Sequence, residues 1–506
     1  MNPQNQGVSP WLVLITVMVG TLLIGLDRTV VNLGLPKIIN DFSITVSMAG
    51  WVATAYIISN AVFVPVFGKL GDMIGNRIIY LWSFIGFIVI SLFAGLSWNI
   101  GSLIFFRTLQ GLVGAAIYPT AMSLIAHTFT DRSARAQALG IWSASFAVSA
   151  VIGPLLGGPL IDAFSWRMLF YINFPIGIVG LIMTLIFLPH DRPDKKFTGF
   201  DYKGALVLAV ALTSAVLVID RGQDWGWLSV GSLICYASAV IFSFAFYFVE
   251  KKATNAIVDL KLFKNSVFVT VLVASFVTFG GMMGTMYLIP IFAQTFLGYD
   301  ATETGYIFIP MAIGLFISSP IGGKLSSIFQ PRFVIATGIA IATFGIWLFS
   351  GLDPRTTGVE LATPLFLFAL GLGFSMAPLT AAATNCVPNN EVGVASAVLN
   401  LVRNISGALG IAFFGTLLTG FIETNVLNIA ASSVVHSLDP AIHATARALI
   451  VLKAEVEAYA HVFLISSGVM SLGVIVAFFL KEPKSDYEGI DEEEVARQKQ
   501  LAALEA

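Results

Sequence analysis

Runs of about twenty apolar residues recur along the chain, separated by short segments that carry most of its charge. Crossing the ~30 Å hydrocarbon layer of a bilayer takes about 20 helical residues. Lipid offers the backbone no hydrogen-bond partner, so each run is constrained to satisfy its own amides as a helix. The runs predict fourteen spans, at roughly 11–36, 48–67, 78–98, 101–127, 136–160, 168–188, 204–220, 229–249, 266–293, 303–322, 333–351, 362–385, 393–420 and 459–480. The expected fold class is therefore all-α and membrane-integral. Composition agrees: 57% of the 506 residues are hydrophobic and 11% charged, against about 25% charged in soluble domains. A formal net charge of −2 gives no electrostatic footprint for nucleic acid. Cys235 and Cys386 belong to different apolar segments and the five histidines are scattered, so neither a disulfide nor a metal centre is expected. The opening MNPQNQGVSP lacks the basic residues of a secretory signal, and the first run is too long for one, so it is expected to be retained.

With the N-terminus inside, the cytoplasmic loops and tail hold eighteen of the 27 Lys and Arg. Six fall outside (Lys37, Arg167, Arg221, Arg355, Arg447 and Lys453) and three within spans (Arg28, Arg107 and Arg403). Basic loops mark the cytoplasmic side, so both termini are expected there. The chain also repeats itself. PVFGKLGDMIGNR (Pro65 to Arg77) and PIGGKLSSIFQPR (Pro320 to Arg332) share P-x-x-G-K-L-x6-R at an offset of 255 residues. This predicts an N-terminal segment over 1–10, a six-helix bundle over 11–190, a linker with two spans over 191–265, a second bundle over 266–482 and an acidic tail over 483–506. Paired bundles around a central site are a transporter architecture, because one can rock against the other. In the last external loop, about 421–458, ATARALIVLKAEVEAYA has helical spacing. A short amphipathic helix and a solvated connector both fit it.

Charges inside lipid are costly and face a partner or a cavity. In GLDRTVVNLGLP, Asp27 and Arg28 stand side by side in the first span. Adjacent helix residues point about 100° apart, so they cannot simply neutralise each other. Asp27 lies about 14 Å below the Pro36 end, and Arg107 in LIFFRTLQGLVGAA about 9 Å below the same face, so the two can share a cavity. The glycines of GKLGDMIGNR permit a tight turn. Those of AVSAVIGPLLGGPL, with Pro154, suit bending and close helix packing. In WRMLFYINFPIG, Trp166 and Phe170 read as interfacial anchors, and Arg167 and Asn173 as residues that order a helix junction. In FVTFGGMMGTMYLIP, Phe276, Phe279, Met282, Met283, Met286 and Tyr287 offer either the adaptable wall of a substrate cavity or plain lipid-facing packing. Glu303 and Arg403 are further charged positions without a signature.

Over nearly its whole length the chain resembles the major facilitator superfamily, in its fourteen-helix drug:proton antiporter branch. The span 1 signature L-D-x-T-v-v-n-x-A-l-P matches at Asp27, Thr29, Asn32 and Pro36, with Gly34 in place of alanine. The signature G-x-L-a-D-r-x-G-r-k matches at Gly68, Leu70, Asp72, Gly75 and Arg77, with Met73 and Asn76 where basic residues stand. Arg107 and Gln110 match R-x-x-Q-G. Gly153, Pro154, Gly157 and Gly158 match g-x-x-x-G-P-x-x-G-G, with Ser149 replacing its first glycine. WRMLFYINFPIG matches W-R-x-x-F-x-I-N-x-P-I-G.

The resemblance implies two six-helix halves plus two inserted linker helices, in a bacterial cytoplasmic membrane. It implies export of amphipathic, often cationic drugs, driven by the proton motive force without a cofactor. Asp27, Arg28, Asn32, Arg107 and Gln110 then become proton-coupling and substrate residues. Gly68, Asp72, Gly75 and Arg77, with Gly153, Pro154, Gly157 and Gly158, become gating residues. Asp72 is expected to contact a helix N-terminus and an arginine, holding the cytoplasmic side shut. Asp27 is expected to face an aqueous vestibule between the halves, exchanging a proton for substrate by mutual exclusion. Expected partners are small amphipathic substrates, protons and membrane lipids, with the chain working as a monomer. No GxxxxGK[ST] loop and no nucleophile–base pairing are found, so neither ATP drive nor enzymatic activity is expected. Export of a lipid, a lipid-linked sugar or a dedicated metabolite stays open, as does a non-transporting receptor.

Overall fold

A computed structural model describes residues 8–129, 131–189, 200–253, 256–299, 301–353, 355–388, 391–432 and 440–481. Among these residues no strand occurs. The N-terminal helices are α1 (Pro10–Phe42), α2 (Val46–Ile74), α3 (Asn76–Gly95), α4 (Ile100–Gly114), α5 (Ile117–Thr128), α6 (Arg132–Ala163), α7 (Met168–Tyr171) and α8 (Asn173–Phe187). α9 (Tyr202–Trp225) and α10 (Val230–Lys252) follow. The C-terminal helices are α11 (Ser266–Phe296), α12 (Ala301–Ile307), α13 (Ile309–Ile328), α14 (Pro331–Phe349), α15 (Gly358–Asn385), α16 (Val392–Ser432) and α17 (Pro440–Phe478).

Thirteen helical stretches among the described residues are long and apolar enough to cross a bilayer. The fifth expected span is α6, 32 residues long, which stands outside that thirteen and several of whose side chains lie outside the described residues. The short helices α4 and α5 together form one stretch, Ile100–Thr128, with a joint at Ala115 and Ala116. Several helix starts are capped by side chains, which satisfies their free amides locally. Asn99 and Ser102 form a reciprocal capping box on α4, Asp131 accepts from the Ala134 amide on α6, and Asn265 accepts from the Val267 and Phe268 amides on α11.

α1–α8 form one six-span half and α11–α17 the other, and the apolar core of the C-terminal half continues across the seam to Val62 and Ala126 and to Leu208 and Leu212 of α9. The halves meet where α2 packs on α16 and α6 packs on α13. The sequence repeat explains this symmetry. A Cβ on Gly68 would lie 2.8 Å from the Gly393 carbonyl oxygen, and one on Gly323, its repeat partner, 2.4 Å from the Ala136 carbonyl oxygen. At these two crossings only glycine allows the backbones so close. α9 packs on α2 and also touches α16, so the inserted hairpin lies against the seam. Its Arg221 is buried, donating to Thr54 at 2.8 Å and Asp224 at 3.0 Å over the Trp51 ring. α10 turns Leu233, Ile234, Val240, Ile241 and Phe244 outward, as a lipid-facing helix should.

Four expectations are corrected. The GKLGDMI segment is not a loop: α2 continues to Ile74, and only Gly75, at φ 118°, makes the break. The second copy likewise lies within α13 to Ile328. The long last loop is mostly helix, since α16 runs to Ser432 and α17 starts at Pro440. At 41 and 39 residues these helices are about 60 Å long, twice the ~30 Å hydrocarbon layer, so they project as an antiparallel hairpin. Trp166 and Phe170 are not interfacial anchors: both are buried in the core of the N-terminal half.

Trp166 instead closes a junction outside the spans. Its indole donates to Asp41 Oδ2 at 3.0 Å, and Arg167 donates to the same oxygen at 2.9 Å. The indole bond first, then the guanidinium, holds the Asp41 carboxyl below its ordinary range. A depressed carboxyl lends stability above its unfolded pKa and loses it as pH falls through the lowered value. The difference in thermal unfolding between wild type and Asp41→Asn should therefore stay constant from pH 7 to about 5 and shrink below about 4.

Candidate functional site

The charged centre of the N-terminal half is assembled from α1, α2, α3, α4 and α8. Arg107 on α4 donates from Nη1 to Asp27 Oδ2 on α1 at 2.6 Å; the two side chains are 2% and 0% exposed. Asn173, the first residue of α8, donates to the other oxygen, Asp27 Oδ1, at 2.8 Å. The carboxylate thus has a donor on each oxygen. The guanidinium also donates to Gln110 Oε1 at 3.0 Å and from Nε to the Val52 carbonyl at 3.2 Å. It lies 4.3 Å from the Tyr56 ring centroid. Gln110 passes the network on to Ser91 at 2.8 Å. A buried ion pair repays its desolvation only when its other donors and acceptors are met. Both Asp27 oxygens and Arg107 Nε and Nη1 are engaged, while Asn173 Oδ1 and the Tyr56 hydroxyl are buried without a hydrogen-bond partner.

Asp27, Arg107 and Gln110 are therefore brought together. Arg28 is not: it is exposed. The Asn32 side chain lies outside the described residues. The vestibule expectation needs correction, because Asp27 is fully buried and both its partners belong to the N-terminal half. Sequence reasoning missed Asn173 as a ligand of Asp27. The signal was present as a lone amide inside an apolar run, but it was read as a junction residue.

Around this centre α1 and α6 cross closely. A Cβ on Gly25 would meet Ser149 Oγ at 2.2 Å, and one on Gly153 would meet Thr29 Oγ1 at 2.1 Å. Gly157 is buried, while a Cβ on Gly158 would meet nothing within 4 Å. α6 continues through Pro154, whose side chain lies outside the described residues.

The gating candidates Gly68, Asp72, Gly75 and Arg77 lie at the face that carries the basic loops. Asp72 Oδ2 accepts from the Val394 amide at 3.2 Å, across the two halves. Its carboxylate sits at the N-terminus of α16, where free amides and the helix dipole favour negative charge. Gly393 makes room for it, since a Cβ there would lie 2.5 Å from Asp72 Oδ1. Arg77 donates to the Leu185 carbonyl of α8 at 3.0 Å, within its own half. On the other side of the seam Arg135 reaches Asn385 at 3.3 Å. A cavity of about 460 Å³ opens beside it, lined by Asp131, Arg332, Asn385 and Lys481 among others.

The span 9 candidates divide. Phe276 and Tyr287 are each 41% exposed on α11, Phe279, Met283 and Met286 half-buried, and Met282 sits in the C-terminal core. Met283 packs on Gly407 of α16, and Phe279 lies 4.9 Å beneath the Arg403 guanidinium. Glu303 lies in the first turn of the short helix α12.

The chain as a whole is similar to known proteins. The Major Facilitator Superfamily pattern matches residues 17–411. Over 397 residues the chain is 34% identical to the multidrug transporter protein MdtP of Bacillus subtilis, covering 78% of this chain and 72% of that one. It is 31% identical to multidrug resistance protein 3 of the same organism, over 83% of this chain and 81% of the relative. It is 29% identical to the multidrug export protein EmrB of Escherichia coli, over 82% and 81%. Among solved structures, the human organic anion transporter MFSD10 (TETRAN) superposes with a TM-score of 0.61 over 93% of this chain and 99% of that one. At 12% identity that likeness shows the fold alone. By the extent of the sequence match and by these bacterial relatives, this chain, a multi-pass membrane protein and not an enzyme, belongs to the Major Facilitator Superfamily.

Proposed function

We propose that the chain is a proton-coupled exporter of amphipathic drugs working by alternating access, with its basic loops and both termini in the cytoplasm of a bacterial cell. The observation that carries this reading is the Asp27–Arg107 pair, the one intramembrane ion pair joining two spans deep in a half among the described residues. In the geometry described, Arg107 and Asn173 each donate to one oxygen of Asp27. To accept a proton it has to lose the guanidinium, which couples its protonation to a movement of α4 against α1. Asp72 on the α16 N-terminus closes the cytoplasmic seam in the same state. The names of the bacterial relatives support drugs as the cargo.

Ethidium uptake into everted vesicles under an imposed pH gradient tests the reading. Wild type should drive uptake that collapses with an uncoupler. Asp27→Asn should lower it at least tenfold while the protein still inserts into the membrane. Uptake that is the same in Asp27→Asn and wild type would remove Asp27 from the coupling scheme.

A further inference from the structure

Arg403 is the second deep guanidinium, and its surroundings differ from those of Arg107. It is 8% exposed, on α16 where that helix meets the N-terminal half. Nη1 donates to the Tyr118 hydroxyl of α5 at 3.1 Å, and Nη2 to Thr380 Oγ1 of α15 at 2.9 Å. Both acceptors are neutral hydroxyls. Nε is buried without a hydrogen-bond partner. Among the described residues no carboxylate pairs with Arg403, whereas Asp27 neutralises Arg107.

The position is central. Arg403 lies eleven residues beyond Val392 and Tyr118 ten residues before Thr128, about 15 Å above their helix ends and so near the middle of a ~30 Å layer. Sites between repeated halves lie at this depth in transporters. A buried cation bonded only to hydroxyls keeps its charge and lacks the anion that would offset its desolvation. Three of its five N–H donors are unspent, Nε among them, and a guanidinium edge matches a carboxylate with two parallel bonds. Beside it α11 supplies an apolar strip: Phe279 touches the guanidinium, Met283 and Met286 follow, and Tyr287 at the far end is exposed. Charge and strip together suit an amphiphile with an acidic head, and they repel a cationic one.

We propose that Arg403 binds the acidic group of an amphipathic substrate between the two halves, with Phe279 and Met283 against its apolar body. This names a substrate class for the exporter proposed above and rests on that reading. It replaces the expectation of a mainly cationic cargo.

The test is equilibrium binding by fluorescence anisotropy to the full chain in phosphatidylcholine nanodiscs. The probes are rhodamine 110, which carries a carboxylate, and rhodamine 123, its methyl ester. Wild type should bind the acid at least tenfold tighter than the ester. Arg403→Gln should bring the two within twofold, mostly by weakening the acid, and Arg403→Lys should keep part of the preference. Tyr118→Phe removes the bond between the halves but keeps the cation, so it should keep the preference. The proposal is overturned if wild type favours the ester or binds neither probe. It is equally overturned if Arg403→Gln weakens both alike, or if Tyr118→Phe reproduces that loss, since Arg403 would then be only a tie between the halves. Acid bound as expected but not moved by a pH gradient in proteoliposomes would sink the exporter reading and leave the site standing.

Discussion

Arg107→Ala is expected to lower unfolding stability by about 3–5 kcal/mol and to abolish proton-driven transport, because it leaves the fully buried Asp27 carboxylate without its cation. Asn173 would remain as a donor to one oxygen, which is too little to offset a buried charge. Asp27→Asn should cost less. The guanidinium would keep Gln110 and the Val52 carbonyl, and an asparagine can still offer it an amide oxygen. The double variant Asp27→Asn with Arg107→Gln removes both charges, and its stability should recover to within about 1–2 kcal/mol of wild type. Transport should not recover in it, because the carboxyl that exchanges the proton is gone. Denaturant unfolding in detergent followed by circular dichroism, run beside vesicle uptake, separates the two effects. A loss in the double variant equal to the sum of those in Asp27→Asn and Arg107→Gln alone would mean that the pair is not coupled, and recovered transport in the double variant would place the proton elsewhere.

Asp72→Ala is expected to open the basic-loop face. The substitution removes a carboxylate acceptor from the first free amides of α16, a contact worth about 0.5–2 kcal/mol at a helix N-terminus. Since that bond crosses between the halves, its loss acts on the equilibrium between closed and open seams, by about 2- to 30-fold. Gly68→Val should act in the same direction with a larger effect, because its Cβ would lie 2.8 Å from the Gly393 carbonyl oxygen, in the backbone contact itself. Distance measurements between spin labels at the α2–α3 and α13–α14 junctions would register a longer-distance population in both variants. Wild-type distances in both would show that neither residue holds the seam.

These two sites differ in how far the chain alone disclosed them. Asp27 and Arg107 could be matched in advance because helical rise converts residue number into depth, and lipid makes an unpaired charge at depth expensive. Asn173 could not, since an amide carries no charge and its role depends on which helix it faces. Asp72 was expected to touch a helix N-terminus, but only through a family likeness. The chain could not say that the helix would be α16, 322 residues away. The repeat located the seam without describing it. Gly68 and Gly71 read as turn residues because glycine is common in turns, whereas α2 runs through both and uses Gly68 for close approach.

Sequence by itself located the apolar spans and the deep charges Asp27 and Arg107, because a bilayer imposes length, polarity and backbone pairing on every segment independently of its neighbours. Tertiary structure alone decided that Asp27 is enclosed within one half, that Trp166 is core, that Arg221 pins α9 to α2, and that Arg403 meets Tyr118 at the seam. Hydropathy reports how deep a residue lies. Which side of its helix meets lipid, a sister helix or the other half is a property of packing between segments far apart in the chain.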